Sequence, residues 1–468
     1  MILKQQVTDT HQKALQVNLD PQRYGTFAEI GAGQEVARWF FRVGGAAGTI
    51  AKSISAYDMK ISDAIYGECK RYVSQERLNA MLEHEHSLCM DRLTAVRGNE
   101  TAFFAFANTV VAQNYKGTNQ CHGWLGIRFQ SRPGDVDNQI VIHVLMKDSE
   151  ATLQQEALGI VGVNLVYGAC FLYPEPEALL ESLLDYLSTE RIEIDMIEFS
   201  GIEFRHVEER SMSLRLVQLG LSRAAMFGPD GKVVQPAAIL RKRPILVERG
   251  SFRPVSNVNL DMLQAARAEF SAAEDVDETR VVELMEITMN NLMAEGDIDI
   301  RDFLERVDLL SAVGKTVMVS DYFEYFRLGS YFRRYTDAPI GVTMGAGSVR
   351  QLFEEKHYSE LDGGILESFG RLFQNKLRIY VYPYLDPDSL KLLKVKNLKI
   401  PNKLNHLFKY LVERGMILQL ESYNSDCLSI FSRELLKQIS SGDHAWEESV
   451  PPEVSALIKE RGFFHYKE

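Results

Sequence analysis

Cysteine is scarce and scattered in this chain. Its 468 residues include five, Cys69, Cys89, Cys121, Cys170 and Cys427, with no CxxC pair among them. An odd set of distant thiols argues against a disulfide framework or a structural zinc site, and reduced thiols lead to an expected cytoplasmic location. Basic charge is also in deficit: 52 Lys and Arg stand against 64 Asp and Glu, a net charge of −12. General nucleic-acid binding draws its affinity from surplus Lys and Arg on phosphates, so that class is set aside. Long apolar runs are missing too. Leu158–Leu172 (LGIVGVNLVYGACFL) is the nearest, and it falls short of the ~18 apolar residues that span a bilayer. Met1–Asp20 is polar and mixed in charge, without the apolar centre of a secretion signal.

What is present belongs to a folded α/β protein. Hydrophobic residues make up 46% and charged residues 25%, ordinary values for globular chains. The length allows two or three domains. Strands are expected at Phe27–Ile30, Ala102–Val111, Trp124–Phe129, Ile140–Met146, Ile160–Val166 and Ile192–Phe199. The short turns between Ala102 and Met146 favour a partly antiparallel section. From Val281 strands alternate with helices: Val281–Thr288, Thr316–Ser320, Ile340–Met344 and Ile379–Tyr382 are separated by helical patterns. That rhythm belongs to βα units around a mainly parallel sheet, Rossmann-like or barrel-like. The small, acidic stretch Ser271–Glu278 reads as a seam. The expected division is a mixed α/β region over 1–270, a βα-repeat region over 279–386 and a helical tail over 387–468.

Two glycine turns follow strands and open helices. The first is Glu29-Ile30-Gly31-Ala32-Gly33-Gln34. Gly31 and Gly33 let backbone N–H groups approach an anion at a helix N-terminus, or they serve only a tight turn. The form EIGAGQ also resembles the first motif of Rossmann-type methyltransferases, which implies S-adenosylmethionine and an acidic partner after the next strand. Asp58 is the candidate, although it lies beyond the usual spacing of about 20 residues. The second turn is Gly345-Ala346-Gly347-Ser348, where Ser348 is placed to cap a helix or, with Gly345 and Gly347, to hold a phosphate. No Lys follows at P-loop spacing.

Polar residues at strand ends form another set. Asn290 and Asn291 follow Val281–Thr288, and Asp321 follows Thr316–Ser320. In an open parallel sheet or a barrel, ligands gather at the carboxyl ends of strands, so these residues and the Gly345–Ser348 turn are expected to share a pocket. His143 interrupts the apolar run Ile140–Met146; it is either a general base or a core histidine. Cys121-His122 neighbours a strand, and the two side chains form a nucleophile pair only if they meet in space. His84-Glu85-His86 lacks the spacing of HExxH.

Longer segments carry a resemblance. YGTFAEIGAGQEVAR (Tyr24–Arg38), SAYDMKISDAIYG (Ser55–Gly67), MEITMNNL (Met285–Leu292), DGGILESFGRLF (Asp362–Phe373) and VPPEVSALIKER (Val450–Arg461) resemble a family of uncharacterised bacterial proteins of about this length. Members carry the automatic names nicotinate- or nicotinamide-nucleotide adenylyltransferase and TonB-dependent receptor. A receptor would need many alternating barrel strands, and they are not found here. The [HT]xGH turn and ISSTxxR-like loop of nucleotidyltransferases are not found either, so the resemblance implies nucleotide metabolism and transfers no catalytic residue.

The leading expectation is a cytoplasmic enzyme acting on a nucleotide or phosphorylated metabolite, with adenylyl transfer its specific form. His143, Glu286 or Asp321 would supply acid–base chemistry or a carboxylate for Mg²⁺ brought with the nucleotide. Two alternatives stand beside it. One is a homo-oligomeric scaffold using the aromatics Tyr322–Phe326 and Tyr331-Phe332; the other is a methyltransferase-like protein.

Overall fold

A computed structural model describes residues 7–117, 119–294, 296–386 and 389–467. The chain divides into two compact units, Met1–Arg223 and Ala224–Glu468. The stretch Ser271–Glu278 falls within the second unit, where it joins a helix ending at Ser271 to the next strand. Both units are mixed α/β, and neither sheet closes into a barrel.

The first unit is built on a six-stranded sheet ordered β2-β1-β3-β4-β5-β6. Its strands are β1 (Arg23–Gly31), β2 (Ile50–Ile54), β3 (Ala102–Val111), β4 (His122–Gln130), β5 (Asp137–Met146) and β6 (Ile192–Ser200). β1 lies parallel to both β2 and β3, while β3 to β6 form an antiparallel succession. The expected antiparallel section is therefore present. One face of the sheet packs Phe27, Phe104, Phe106, Leu125, Ile127 and Ile142 against the helices Thr10–Leu19, Glu35–Arg42 and Ala151–Phe171. The other face is covered by the helix Gln75–Arg97, whose Leu78 and Leu82 lie over Gly126.

The expected strand Ile160–Val166 is instead the middle of the 21-residue helix Ala151–Phe171. A continuous apolar run does not distinguish a buried strand from a helix buried on all sides; length decides, and this run continues too far for a strand. Its glycines mark close helix packing, since a Cβ on Gly162 would lie 2.3 Å from Cγ2 of Val36.

The second unit holds an eight-stranded sheet ordered β16-β13-β12-β9-β10-β11-β7-β8. The ranges are β7 (Ala224–Phe227), β8 (Val233–Val234), β9 (Ile245–Arg249), β10 (Val282–Thr288), β11 (Thr316–Ser320), β12 (Ile340–Gly345), β13 (Leu377–Tyr382) and β16 (Ile417–Gln419). A separate ribbon pairs β14 (Tyr384–Leu385) with β15 (Leu392–Leu393). β9 to β13 and β16 are all parallel, and the hairpin β7-β8 adds an antiparallel edge. Counted from β9, the parallel strands run 3-2-1-4-5-6, the doubly wound Rossmann order. The choice between Rossmann-like and barrel-like architectures is thereby made for this unit.

The winding reverses between β9 and β12. The chain builds β9, β10 and β11 to one side, then returns to place β12 on the other side of β9. Among the residues described, no helix is long and apolar enough to cross a membrane.

Candidate functional site

At the carboxyl ends of the second unit's parallel strands, several loops converge on an open crevice of about 220 Å³. Arg249 ends β9, Thr288 ends β10 with Asn290 and Asn291 behind it, and Ser348 follows β12. The loop and helix after β11 contribute Phe323, Glu324 and Tyr325, and Gln351, His357 and Tyr358 complete the wall. Reversal of strand order separates adjacent loops here and leaves room for a ligand.

Thr288 and Asn291 shape the floor. The Thr288 hydroxyl accepts from the Asn291 N–H at 3.2 Å, and Asn291 Oδ1 accepts in turn from the Thr288 N–H at 3.2 Å. This reciprocal capping starts a short helix directly from the strand end. Asn290 is exposed beside it. Elsewhere in the lining the aromatic ring of Phe323 is half exposed and packs tilted against His357, with 5.2 Å between ring centres. The Tyr358 hydroxyl donates to the Leu352 carbonyl at 2.9 Å. Burial pushes the Tyr358 phenol up to about 12 and raises that of Tyr325, so both stay protonated at neutral pH.

Arg249 is a clamp inside this wall. It donates from Nε and Nη2 to the two Glu286 oxygens, at 2.9 and 3.0 Å, and from Nη1 and Nη2 to the carbonyls of Phe323 and Tyr322. Its guanidinium also lies 4.2 Å from the Tyr325 ring centre. These bonds tie the loop after β11 to β9 and β10.

Of the residues expected to share a pocket, Asn290, Asn291 and Ser348 line this crevice, while Asp321, Gly345 and Gly347 do not. Other expected residues play different parts. Glu286 is fully buried, accepts from Arg249 and from the Ser320 hydroxyl, and does not line the crevice, so it is placed to hold Arg249 and not to reach a ligand there. Asp321 is exposed at the end of β11 and does not line the crevice. Gly345 is the residue before the helix Ala346–Leu352; Ser348 therefore sits inside the first turn and does not cap it. Gly347 faces the Tyr384 ring.

The first glycine turn is filled by the protein itself. Gly31 carries a positive φ of 79°, and a Cβ on Gly33 would lie 1.8 Å from Oδ1 of Asn108. Asn108 donates to the Gly33 carbonyl and to Glu29. The buried Glu29 carboxyl accepts from the N–H groups of Val36 and Ala37, at 3.2 and 3.4 Å. An internal carboxyl thus takes the place at the helix start where a ligand anion was expected. Burial pushes Glu29 up to about 8. Asp58 follows β2, the neighbour of β1, but its carboxylate caps its own helix through the N–H groups of Lys60 and Ile61.

The scaffold surface does not form from the residues expected. Tyr322, Phe326, Tyr331 and Phe332 are buried in the core of the second unit, and only Phe323 of the group is well exposed. His143 is also fully buried, in the first unit, and bonded to two other side chains. The described residues contain no group of three or more His, Cys, Asp or Glu arranged for a metal ion.

Sequence reading missed Arg249 because it missed β9, and it passed over Gln351 and His357, which follow β12. Pro-Ile-Leu-Val-Glu-Arg-Gly (244–250) is an apolar triplet bounded by Pro and Gly, and that boundary was the available signal.

No family model and no curated protein matches the chain. Similar solved structures include a competence-damaged protein (CinA) superfamily protein from Escherichia coli, at 14% identity over 39% of this chain and 96% of that one, with a TM-score of 0.25. A competence/damage-inducible protein from Agrobacterium tumefaciens matches at 16% identity over 35% and 93%, with a TM-score of 0.23. A protein from Vibrio parahaemolyticus named as a nicotinate-nucleotide adenylyltransferase matches at 14% identity over 46% and 99%, with a TM-score of 0.21. Likeness at this level assigns neither fold nor chemistry to this chain.

Proposed function

We propose that the second unit binds a nucleotide or other phosphorylated metabolite in the crevice between β9, β10 and β12, and that the protein is an enzyme acting on it. The observation that carries this reading is the crevice's position. It lies at the carboxyl ends of a 3-2-1-4-5-6 parallel sheet, beside the strand where winding reverses. The lining suits such a ligand. Asn290, Asn291, Ser348 and Gln351 offer neutral donors and acceptors to a sugar phosphate, and Phe323 offers an aromatic face. At about 220 Å³ the crevice takes the sugar–phosphate part of a mononucleotide and leaves the remainder towards solvent. Adenylyl transfer is the specific reaction implied by the resemblance given above. His357 is the crevice's own candidate for proton transfer, with Glu354 at 3.4 Å behind it.

The test is a thermal-shift panel on the purified chain with ATP, nicotinate mononucleotide, NAD and S-adenosylmethionine, each with and without Mg²⁺. A ligand at ~100 times its dissociation constant stabilises by about 2.7 kcal/mol, a shift of a few degrees for a chain of this size. The expected result is a shift with ATP or the mononucleotide that disappears in Ser348→Trp, a substitution that fills the crevice. No shift with any nucleotide overturns the reading. A shift with S-adenosylmethionine alone replaces it with the methyltransferase.

A further inference from the structure

The charges around the crevice between β9, β10 and β12 are matched in pairs among the described residues. Arg249 is the buried cation of the lining, and the two Glu286 oxygens meet it at 2.9 and 3.0 Å. Glu324 is the carboxylate of the lining, and Nε of Arg327 stands 3.1 Å from it. His357 faces Glu354 at 3.4 Å, and Lys356 reaches the same Glu354 oxygen at 2.5 Å. Arg249, Arg327 and Lys356 thus balance Glu286, Glu324 and Glu354. A ligand with several negative charges would lose its hydration here and meet no surplus of positive charge in return.

Two neighbouring residues give the lining another preference. Glu324 stands just before the helix Tyr325–Arg333 and keeps 19% of its side chain accessible. An ionised carboxylate only accepts hydrogen bonds. The Tyr325 ring lies against the Arg249 guanidinium, 4.2 Å from the ring centre. Its hydroxyl bonds no described residue and is open to solvent. Burial holds the phenol protonated, so it donates as well as accepts. A ligand hydroxyl satisfies both groups, since it donates to a carboxylate and accepts from a phenol. An ionised phosphate oxygen only accepts, and its charge opposes Glu324. Phe323 borders the same crevice, half exposed, on a loop whose Tyr322 and Phe323 carbonyls Arg249 holds. Its ring is therefore presented on a fixed backbone, which lowers the ordering cost of stacking a flat base.

We propose that this crevice selects a nucleoside or a nucleoside monophosphate by its ribose hydroxyls, with Glu324 accepting from them and Tyr325 donating to them, and that it discriminates against polyphosphates. The inference rests on the nucleotide reading above and narrows it. Of the ligands expected there to shift the melting temperature, the mononucleotide is preferred to ATP. Tyr325 is a specificity-determining residue in this scheme, and Arg249 is a positioning residue that sets the Tyr325 ring and the Phe323 backbone.

The test is isothermal titration calorimetry on the full chain without divalent cations, at ~50 and ~500 mM NaCl. The ligands are adenosine, AMP, ADP, ATP and nicotinate mononucleotide. A nucleoside or monophosphate is expected to bind, with an affinity that changes by less than about twofold between the two salt concentrations, because no net ion pairing holds it. ADP and ATP should bind no more tightly than AMP. Tyr325→Phe should weaken the bound nucleoside or monophosphate by about 5-fold. The melting temperature of the free variant should equal that of wild type, since the removed oxygen bonds nothing in the protein. Glu324→Gln should improve ATP relative to AMP by about threefold at low salt. Affinity that rises with each phosphate and falls with salt overturns this inference and leaves the nucleotide reading standing. So does wild-type affinity in Tyr325→Phe. Binding by none of the five ligands overturns both.

Discussion

Arg249 and Glu286 face each other at matched positions on β9 and β10 and form a two-bond pair, at 2.9 and 3.0 Å, with Glu286 fully buried. The pair fixes the loop after β11 because Arg249 also holds the Phe323 and Tyr322 carbonyls. Removing one partner of such a pair leaves the other's charge uncompensated in the interior. Glu286→Gln should therefore cost about 3–5 kcal/mol, read as a lower urea midpoint. Combining it with Arg249→Met should recover part of the loss, since both charges are then gone.

Glu248, next to Arg249 on the strand, points to the opposite face and has a different fate. Asn259 Nδ2 donates to its Oε1 at 2.9 Å, and its Oε2 has no hydrogen-bond partner among the described residues. Burial pushes the carboxyl up from 4.5 to about 8. The folded value exceeds the unfolded one, so the stability of the protonated form is fully present below pH 4.5 and is lost as pH rises through 8. Glu248→Gln mimics the protonated side chain. It should match wild type near pH 4.5 and exceed it by a few kcal/mol above pH 8, measured by urea unfolding across pH.

Gly33 tests whether the first glycine turn is packed or open. A Cβ there overlaps Asn108, which is itself fully buried. Gly33→Ala should cost about 1–3 kcal/mol, as overpacking does. The cost should shrink in the presence of Asn108→Ala. A neutral Gly33→Ala would reopen the turn as a ligand cradle.

Gly162 tests the helix that replaced an expected strand. Its neighbour is Val36, on the helix Glu35–Arg42. Gly162→Leu should lower the melting temperature by several degrees, and Val36→Ala should offset part of that loss by making room.

Much of the secondary structure was legible because each period survives in the sequence. Ala102–Val111 and Thr316–Ser320 were expected with the observed bounds, as alternating or β-branched runs between turn residues. That Asn290, Asn291 and Ser348 come together was legible because each follows an expected strand. Ile160–Val166 was misread because full burial erases the helical period. β9 was missed because five residues between Pro244 and Gly250 carry too little pattern, although this strand is the centre of its sheet.

The sequence by itself determined the α/β class, the alternation of βα units after Val281, the thiol count and the acidic balance, since these depend on local pattern and composition. Only tertiary structure decided which strands are neighbours. That pairing sets the 3-2-1-4-5-6 order and the crevice beside it, and it joins His122, His143 and Asp195 across three strands. It also decided that Glu286 meets an arginine and that Glu29 fills the helix start prepared by Gly31 and Gly33. The physical reason is distance along the chain: strand pairing, burial and ion pairing join residues as far as 37 and 79 positions apart, and no local period encodes them.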